Sequence, residues 1–350
     1  MTTRLLPSSA RQKGVTLTEL MIALVLGALV VLAATAMVVT SRGTYRTQDE
    51  TTRLAESARF GLELGNRLVR LAGYTNFGDD PTIPANYVVD STWTTSPDSY
   101  AFNGPNVVGT NNSKPTAGAA INGSDSLTVR FFGSSTANST PGANIADGNI
   151  LDCAGSPVPQ PVTTVGAVTT DDKVVNRVAR AYNVLFVDTD TDGEPALKCQ
   201  RQAYDAATGA ASGVVSDTQT LIRGVEDFQV LYGELIPQVA PNDDLDLNAP
   251  ASIVYRSGIG GPNAVVKWEN VRSVRIAMLL RSAVGTLSSP EAATTTYPLF
   301  GANYPGSSDP GTTFSLTALS VADRTRARRV IQTTVFIRNR MGEWPSLQAP

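Results

Sequence analysis

From Leu20 to Val39 the chain runs twenty residues without a charged side chain. As an α-helix that run is about 30 Å long, the thickness of a bilayer's hydrocarbon core. Beyond it the pattern changes to steps of three and four: Leu54, Ala58, Gly61, Gly65, Leu68 and Ala72 line one face. Glu50 with Arg53, Glu56 with Arg59 and Glu63 with Arg67 fall at i,i+3 or i,i+4 and suit a solvated side. The two patterns predict one helix of about fifty residues, its first half apolar all round and its second half docked by one face. Ala58, Gly61 and Gly65 leave room for a partner to approach the helix backbone, at about 1 kcal/mol of helix propensity per glycine. A sheet is the expected partner.

Downstream the period shortens to two. Residues 126–132 (SLTVRFF), 181–188 (AYNVLFVD), 196–201 (ALKCQR), 226–234 (EDFQVLYGE), 271–282 (VRSVRIAMLLRS) and 328–340 (RRVIQTTVFIRNR) read as strands, β-branched, aromatic or alternating. In the fifth, Val274, Ile276, Met278 and Leu280 share a face and Arg275 takes the other, which predicts a sheet covered on one side. From Asn76 to about Gly123 the chain is rich in Thr, Ser, Asn, Pro and Gly and reads as irregular loop with at most short strands. No helical pattern alternates with the strands, so the expected class is α+β: a long N-terminal helix on an antiparallel sheet with long loops.

Charge and composition narrow the function. With 350 residues the chain can bury a sizeable core. There are 28 basic and 31 acidic residues, so no basic footprint for nucleic acid exists. Arg4, Arg11 and Lys13 precede the apolar run without an acid among them and hold the N-terminus on the cytoplasmic side. The chain has no histidine, which removes Ser-His-Asp and Cys-His catalysis and histidine metal sites. No P-loop or GxSxG motif occurs, and GIGGPN near Gly258 reads as a turn. No carboxylate pair is marked out by its context, and the chain is expected not to be an enzyme. Arg324, Arg326, Arg328 and Arg329 lack interleaved aromatics and read as a solvated lead into the last strand, contact with phosphate or DNA being the alternative.

DTDTDGE sets Asp188, Asp190 and Asp192 at positions 1, 3 and 5 with Gly193 at position 6, like the start of an EF-hand loop. Position 12, where a bidentate glutamate belongs, is Cys199. A plain Asp/Gly turn is the competing reading. Calcium there, or at Asp243, Asp244 and Asp246, is the one candidate ion, and no cofactor is otherwise expected. Cys153 and Cys199, the two cysteines, would form one bridge in an oxidising compartment, two free thiols being the alternative.

A secretory signal peptide competes for the N-terminus, but the apolar run is long for one and continues as helix instead of reaching a small-residue cleavage site. KGVTLTEL, Lys13 to Leu20, resembles the class III signal of type IV pilins and pseudopilins: a basic leader, Gly14 before the cut, an apolar residue after it, and a glutamate fifth in the mature chain. The resemblance implies that a prepilin peptidase cuts between Gly14 and Val15 and N-methylates Val15. It implies that Glu19 pairs with the N-terminal amine of a neighbouring subunit. A carboxylate at a bilayer edge is costly unless paired, and the new amine of Val15, its own or a neighbour's, is the nearest candidate.

The order LDCAG, EPALKCQR, LIRGVEDFQVLYGE, WENVRSVRIAMLLRS and RRVIQTTVFIRNR resembles the PilW-type minor pilins of type IV pili. The implied organisation is a leader at 1–14, a membrane and filament-core helix at 15–40, its amphipathic half at 41–73 and an exported β-rich head at 74–350. The implied role is a minor pilin that helps initiate pilus assembly and joins the tip complex, first in the inner membrane with its head in the periplasm, then in the pilus at the surface. Prepilin peptidase, other minor pilins, the major pilin and a tip adhesin are the implied partners. The alternatives are a J-type minor pseudopilin of type II secretion and a membrane-anchored surface adhesin.

Overall fold

The computed structural model describes residues 14–74, 105–135, 145–159, 181–204, 211–236, 252–265, 267–302, 304 and 309–338. The leader up to Lys13, residues 76–104 of the expected loop, the Asp243 to Asp246 group and residues 339–340 of the last expected strand lie outside them. The chain divides into two compact units, Met1–Glu50 and Thr51–Pro350.

One helix, α1 (Leu17–Leu71), runs from the first unit into the second. In the first unit its apolar side chains are exposed, and none of its most apolar window is buried within the protein. In the second unit Leu54, Ala58, Gly61, Leu64, Gly65, Leu68 and Val69 are buried. The expected face is there from Leu54 onward, widened by Leu64 and Val69. The helix stops where Gly73, at φ +69°, takes the left-handed conformation that other residues resist. Its N–H is then bonded to the carbonyl of Arg130, 2.9 Å away, which ties the helix end to the head.

The head has two main antiparallel sheets. β1 (Val107–Thr110), β2 (Ser126–Phe131), β3 (Ala181–Thr189), β4 (Pro195–Tyr204) and β5 (Ala211–Arg223) form the first, each strand beside the next in sequence. β6 (Val225–Ile236), β7 (Ser252–Arg256), β8 (Val271–Arg281) and, after a short β9–β10 pair (Thr296–Pro298 with Thr313–Ser315), β11 (Arg328–Phe336) form the second. Its order is β11-β8-β6-β7. Gly224 alone separates β5 from β6. Its φ of +77° turns the chain between sheets, and a Cβ there would lie 2.7 Å from the carbonyl oxygen of Arg281. At another seam Ile259, just past β7, makes two 2.8 Å backbone bonds, donating to the Gly109 carbonyl of β1 and accepting from the Asn111 amide just after it.

Both sheets and the buried face of α1 share one core. Leu68 and Val69 join Leu127 and Val129 of β2, Leu185 of β3, Val230 of β6 and Ile276 and Met278 of β8. The small residues act as the pattern predicts. A Cβ on Gly61 would stand 3.0 Å from Ile222 Cδ1 and Met278 Cε, and one on Gly65 would stand 3.1 Å from Ile276 Cδ1.

The second sheet is covered on both faces, not one. Leu231, Ala277 and Leu279, on the face away from that core, pack with Leu299, Phe300, Phe314 and Leu316 of the segment between β8 and β11. That segment is closed at its base, where Ser282 N–H donates to the Ala327 carbonyl (2.9 Å) and the Ala327 N–H donates to Ser282 Oγ (2.8 Å). Arg275 is not solvated on this face; its guanidinium lies 5.8 Å from the Tyr255 ring centroid and 5.9 Å from that of Phe300.

Candidate functional site

At the start of α1, Thr16 and Glu19 make a reciprocal pair. The Thr16 amide donates to Glu19 Oε2 at 3.0 Å and the Glu19 amide donates to Thr16 Oγ1 at 3.3 Å. The Thr16 hydroxyl also donates to Glu19 Oε2, at 3.0 Å. This is a capping box, in which a Thr and a Glu three residues on satisfy amide groups that the first helical turn leaves open. Thr16-Leu17-Thr18-Glu19 carries that signal in the sequence, a Thr followed three residues later by Glu before an apolar run. Oε2 accepts both Thr16 bonds, and Oε1 accepts none from the described residues. Gly14 and Val15 are both exposed, Val15 at 70%, with nothing within 4 Å of a Cβ built on Gly14.

In the head the two cysteines meet: Cys153 and Cys199 are bonded, their Cα atoms 6.4 Å apart. The bridge fastens the strap at 145–159 to β4, and polar bonds reinforce it. Asp152 accepts from Arg201 of β4 at 2.6 Å, and its carbonyl accepts from Arg67 of α1 at 3.0 Å. The amides of Ala154 and Ser156 donate to the same carboxylate, closing the turn that presents Cys153.

The three aspartates of DTDTDGE do not converge. Asp188 meets Lys114 at 2.7 Å and Thr116 at 2.9 Å. Burial works against its charge, yet the bonds from Lys114, Thr116 and the Thr189 amide hold its carboxyl below the usual range. Asp190 and Asp192 both face Arg223 at the end of β5, at 2.8 and 3.0 Å. The Thr191 amide and Arg223 keep Asp190 below the usual range as well. Backbone bonds from Asp190 N–H to the Glu194 carbonyl and from Gly193 N–H to the Asp190 carbonyl make the segment a hairpin turn between β3 and β4. Among the described residues no group of three His, Cys, Asp or Glu side chains is placed to hold a metal ion.

The arginines before β11 correct the expectation of a solvated lead. Arg328 is buried against Glu226 of β6, its Nε 2.7 Å from Oε2. Arg281 joins Glu226 at 2.9 Å to Glu194 at 2.6 Å, and Arg326 reaches Glu194 at 2.9 Å. Of the four arginines only Arg329 is exposed, as expected. Strand alternation sends Arg328 inward, and glutamates at Glu194 and Glu226, distant in sequence, were not legible as its partners. The cluster is a clamp inside the head, not a surface for phosphate.

Two family models match the sequence. One, the prokaryotic N-terminal methylation motif, covers residues 9–35 and so includes Gly14, Val15 and Glu19. The other, type IV pilus-assembly protein W (PilW), covers residues 184–339, from β3 through β11. Among solved structures, a type IV-like pilin from Thermus thermophilus is similar at 12% identity and a TM-score of 0.35, over 82% of this chain and 98% of that one. No curated protein matches. With the methylation motif over the start of its first helix and the PilW model over most of its head, the chain is similar to the PilW-like type IV pilins.

Proposed function

We propose that the chain is a minor pilin, a structural subunit and not an enzyme, that helps start type IV pilus assembly and sits in the tip complex. A prepilin peptidase cuts between Gly14 and Val15 and methylates the amine of Val15. Until then α1 spans the inner membrane with its N-terminus in the cytoplasm and its head in the periplasm. Other minor pilins, the major pilin and a tip adhesin are its partners. A calcium role for Asp188, Asp190 and Asp192 gains no support from carboxylates already paired with Lys114 and Arg223.

The observation that carries this reading is the division of labour within Glu19. Oε2 closes the capping box with Thr16, which fixes the carboxylate against the helix start, and Oε1 is left for a cation. Cleavage at Gly14 creates one four residues away, and a neighbouring subunit brings another. An ion pair at the edge of a bilayer or inside a filament is little screened, so it sets register strongly. A subunit with this carboxylate has a neighbour above it whose amine it engages, which puts it below the outermost position.

Glu19→Gln separates the two roles. Glutamine keeps the capping-box acceptor and loses the charge. Processing and membrane insertion stay as in the wild type while incorporation into sheared pili falls at least tenfold. Incorporation at the wild-type level would remove the ion pair from the account.

A further inference from the structure

Directly beyond the uncharged run, Arg42 and Arg46 stand one helical turn apart on the same side of α1, with Tyr45 next to them and 70% exposed. No described residue bonds to either guanidinium or to the phenol. The threonines of this turn spend their hydroxyls on the helix itself. Thr40 donates to the Ala36 carbonyl at 2.9 Å, Thr44 to that of Thr40 at 3.1 Å, and Thr47 to that of Gly43 at 3.1 Å. The charged and aromatic groups in this collar, two cations and one amphipathic ring, have no partner among the described residues.

Their depth follows from the helix rise. If Leu20 to Val39 fills the hydrocarbon core, residues 40–46 occupy about the next 10 Å, the headgroup layer of the far leaflet. Guanidinium groups bind phosphate in pairs of parallel bonds, and tyrosine favours that layer because its ring is apolar and its hydroxyl wet. We propose that Arg42, Arg46 and Tyr45 form a docking collar for the phosphates of anionic phospholipid headgroups in the periplasmic leaflet. Zwitterionic lipid competes poorly, since its own ammonium shields the phosphate. The proposal rests on the reading of α1 as a membrane span. The collar holds the helix at one depth before assembly and must release its lipid when the subunit leaves the bilayer.

The test uses the full chain in phosphatidylglycerol nanodiscs, with native mass spectrometry of the lipid retained after release. Wild type retains phosphatidylglycerol. The double variant Arg42→Gln, Arg46→Gln retains at least fivefold less, and Arg59→Gln, an exposed arginine farther along α1, retains as much as the wild type. In the same chain in vesicles, Val30→Cys is protected from a membrane-impermeant maleimide. Labelling of Val30→Cys would overturn the span and the collar together. Protection with undiminished lipid in the double variant, or with an equal loss in Arg59→Gln, would overturn the collar and leave the span standing.

Discussion

Asp227 is a carboxyl group placed where a carboxylate is poorly served. It is fully buried at the start of β6; its Oδ1 accepts from Ser124 Oγ at 3.1 Å and Gln229 Nε2 at 2.9 Å, and its Oδ2 accepts nothing from the described residues. Gln229 Oε1 beside it is unpartnered too. Asp125 and Glu226 are its charged surroundings, and Glu226 is already claimed by Arg281 and Arg328. Burial pushes the Asp227 carboxyl well above its usual range, outweighing the bonds from Gln229 and Ser124; Asp125 is pushed up for the same reason. A carboxyl whose folded pKa is raised gives its full stabilisation below the ordinary carboxylate range and loses it as pH rises towards the raised value. Asp227→Asn keeps the Oδ1 acceptor and supplies donors where Oδ2 has none. We expect it to raise unfolding free energy at pH 7 by about 1–3 kcal/mol, with a gain that shrinks towards pH 4. Denaturant titrations at the two pH values check this, and a destabilised variant at pH 7 would contradict it.

At the scale of elements, α1 and six of the strands were legible because their patterns are periodic. The face from Leu54 to Ala72 was drawn almost as it stands, and the expected strands lie within a few residues of β2, β3, β4, β6, β8 and β11. β5 was missed because ASGVVSDTQTLIR mixes small and polar residues over thirteen positions and takes its strand form from pairing with β4. β1 and β7 were missed because they are four and five residues long. The double cover of the second sheet had a trace in the continuous apolar character of FQVLY and IAMLL, which fits a strand buried on both faces better than one alternating with solvent. At the contact between elements, Gly61 offers a graded test. Gly61→Leu must displace Ile222 and Met278 and is expected to cost about 1–3 kcal/mol. In Gly61→Ala about 1 kcal/mol of helix propensity offsets contacts with two flexible side-chain ends, so its stability stays within about 1 kcal/mol of the wild type. Thermal unfolding of the two variants would contradict this packing if alanine were as damaging as leucine.

For the molecule as a whole, the chain spends its polar chemistry on holding a head together. The Glu194–Arg281–Glu226–Arg328 clamp ties the β3–β4 turn, β6, β8 and β11 through charges that are costly to bury singly and mutually satisfied as a group. Glu194 is partly buried, which disfavours its charge, yet Arg281 and Arg326 hold its carboxyl below the usual range. The Cys153–Cys199 bridge closes a separation of 46 residues, which on the chain-entropy model contributes about 4 kcal/mol. Replacing both cysteines by serine is expected to lower unfolding free energy by about that amount and to leave two-state melting of the head in place. The bridge was foreseeable because the chain has just two cysteines. The clamp was not, because its members are drawn together only by strand pairing between residues far apart in sequence.

The central claim is that this chain is cut at Gly14 and then built into a filament. The intact mass of the protein recovered from sheared pili tests it most directly. The account predicts a chain that begins at N-methylated Val15, ends with the encoded sequence and loses two hydrogens to the Cys153–Cys199 bond. A protein that begins at Met1, stays in the inner membrane and is absent from the sheared fraction would contradict it.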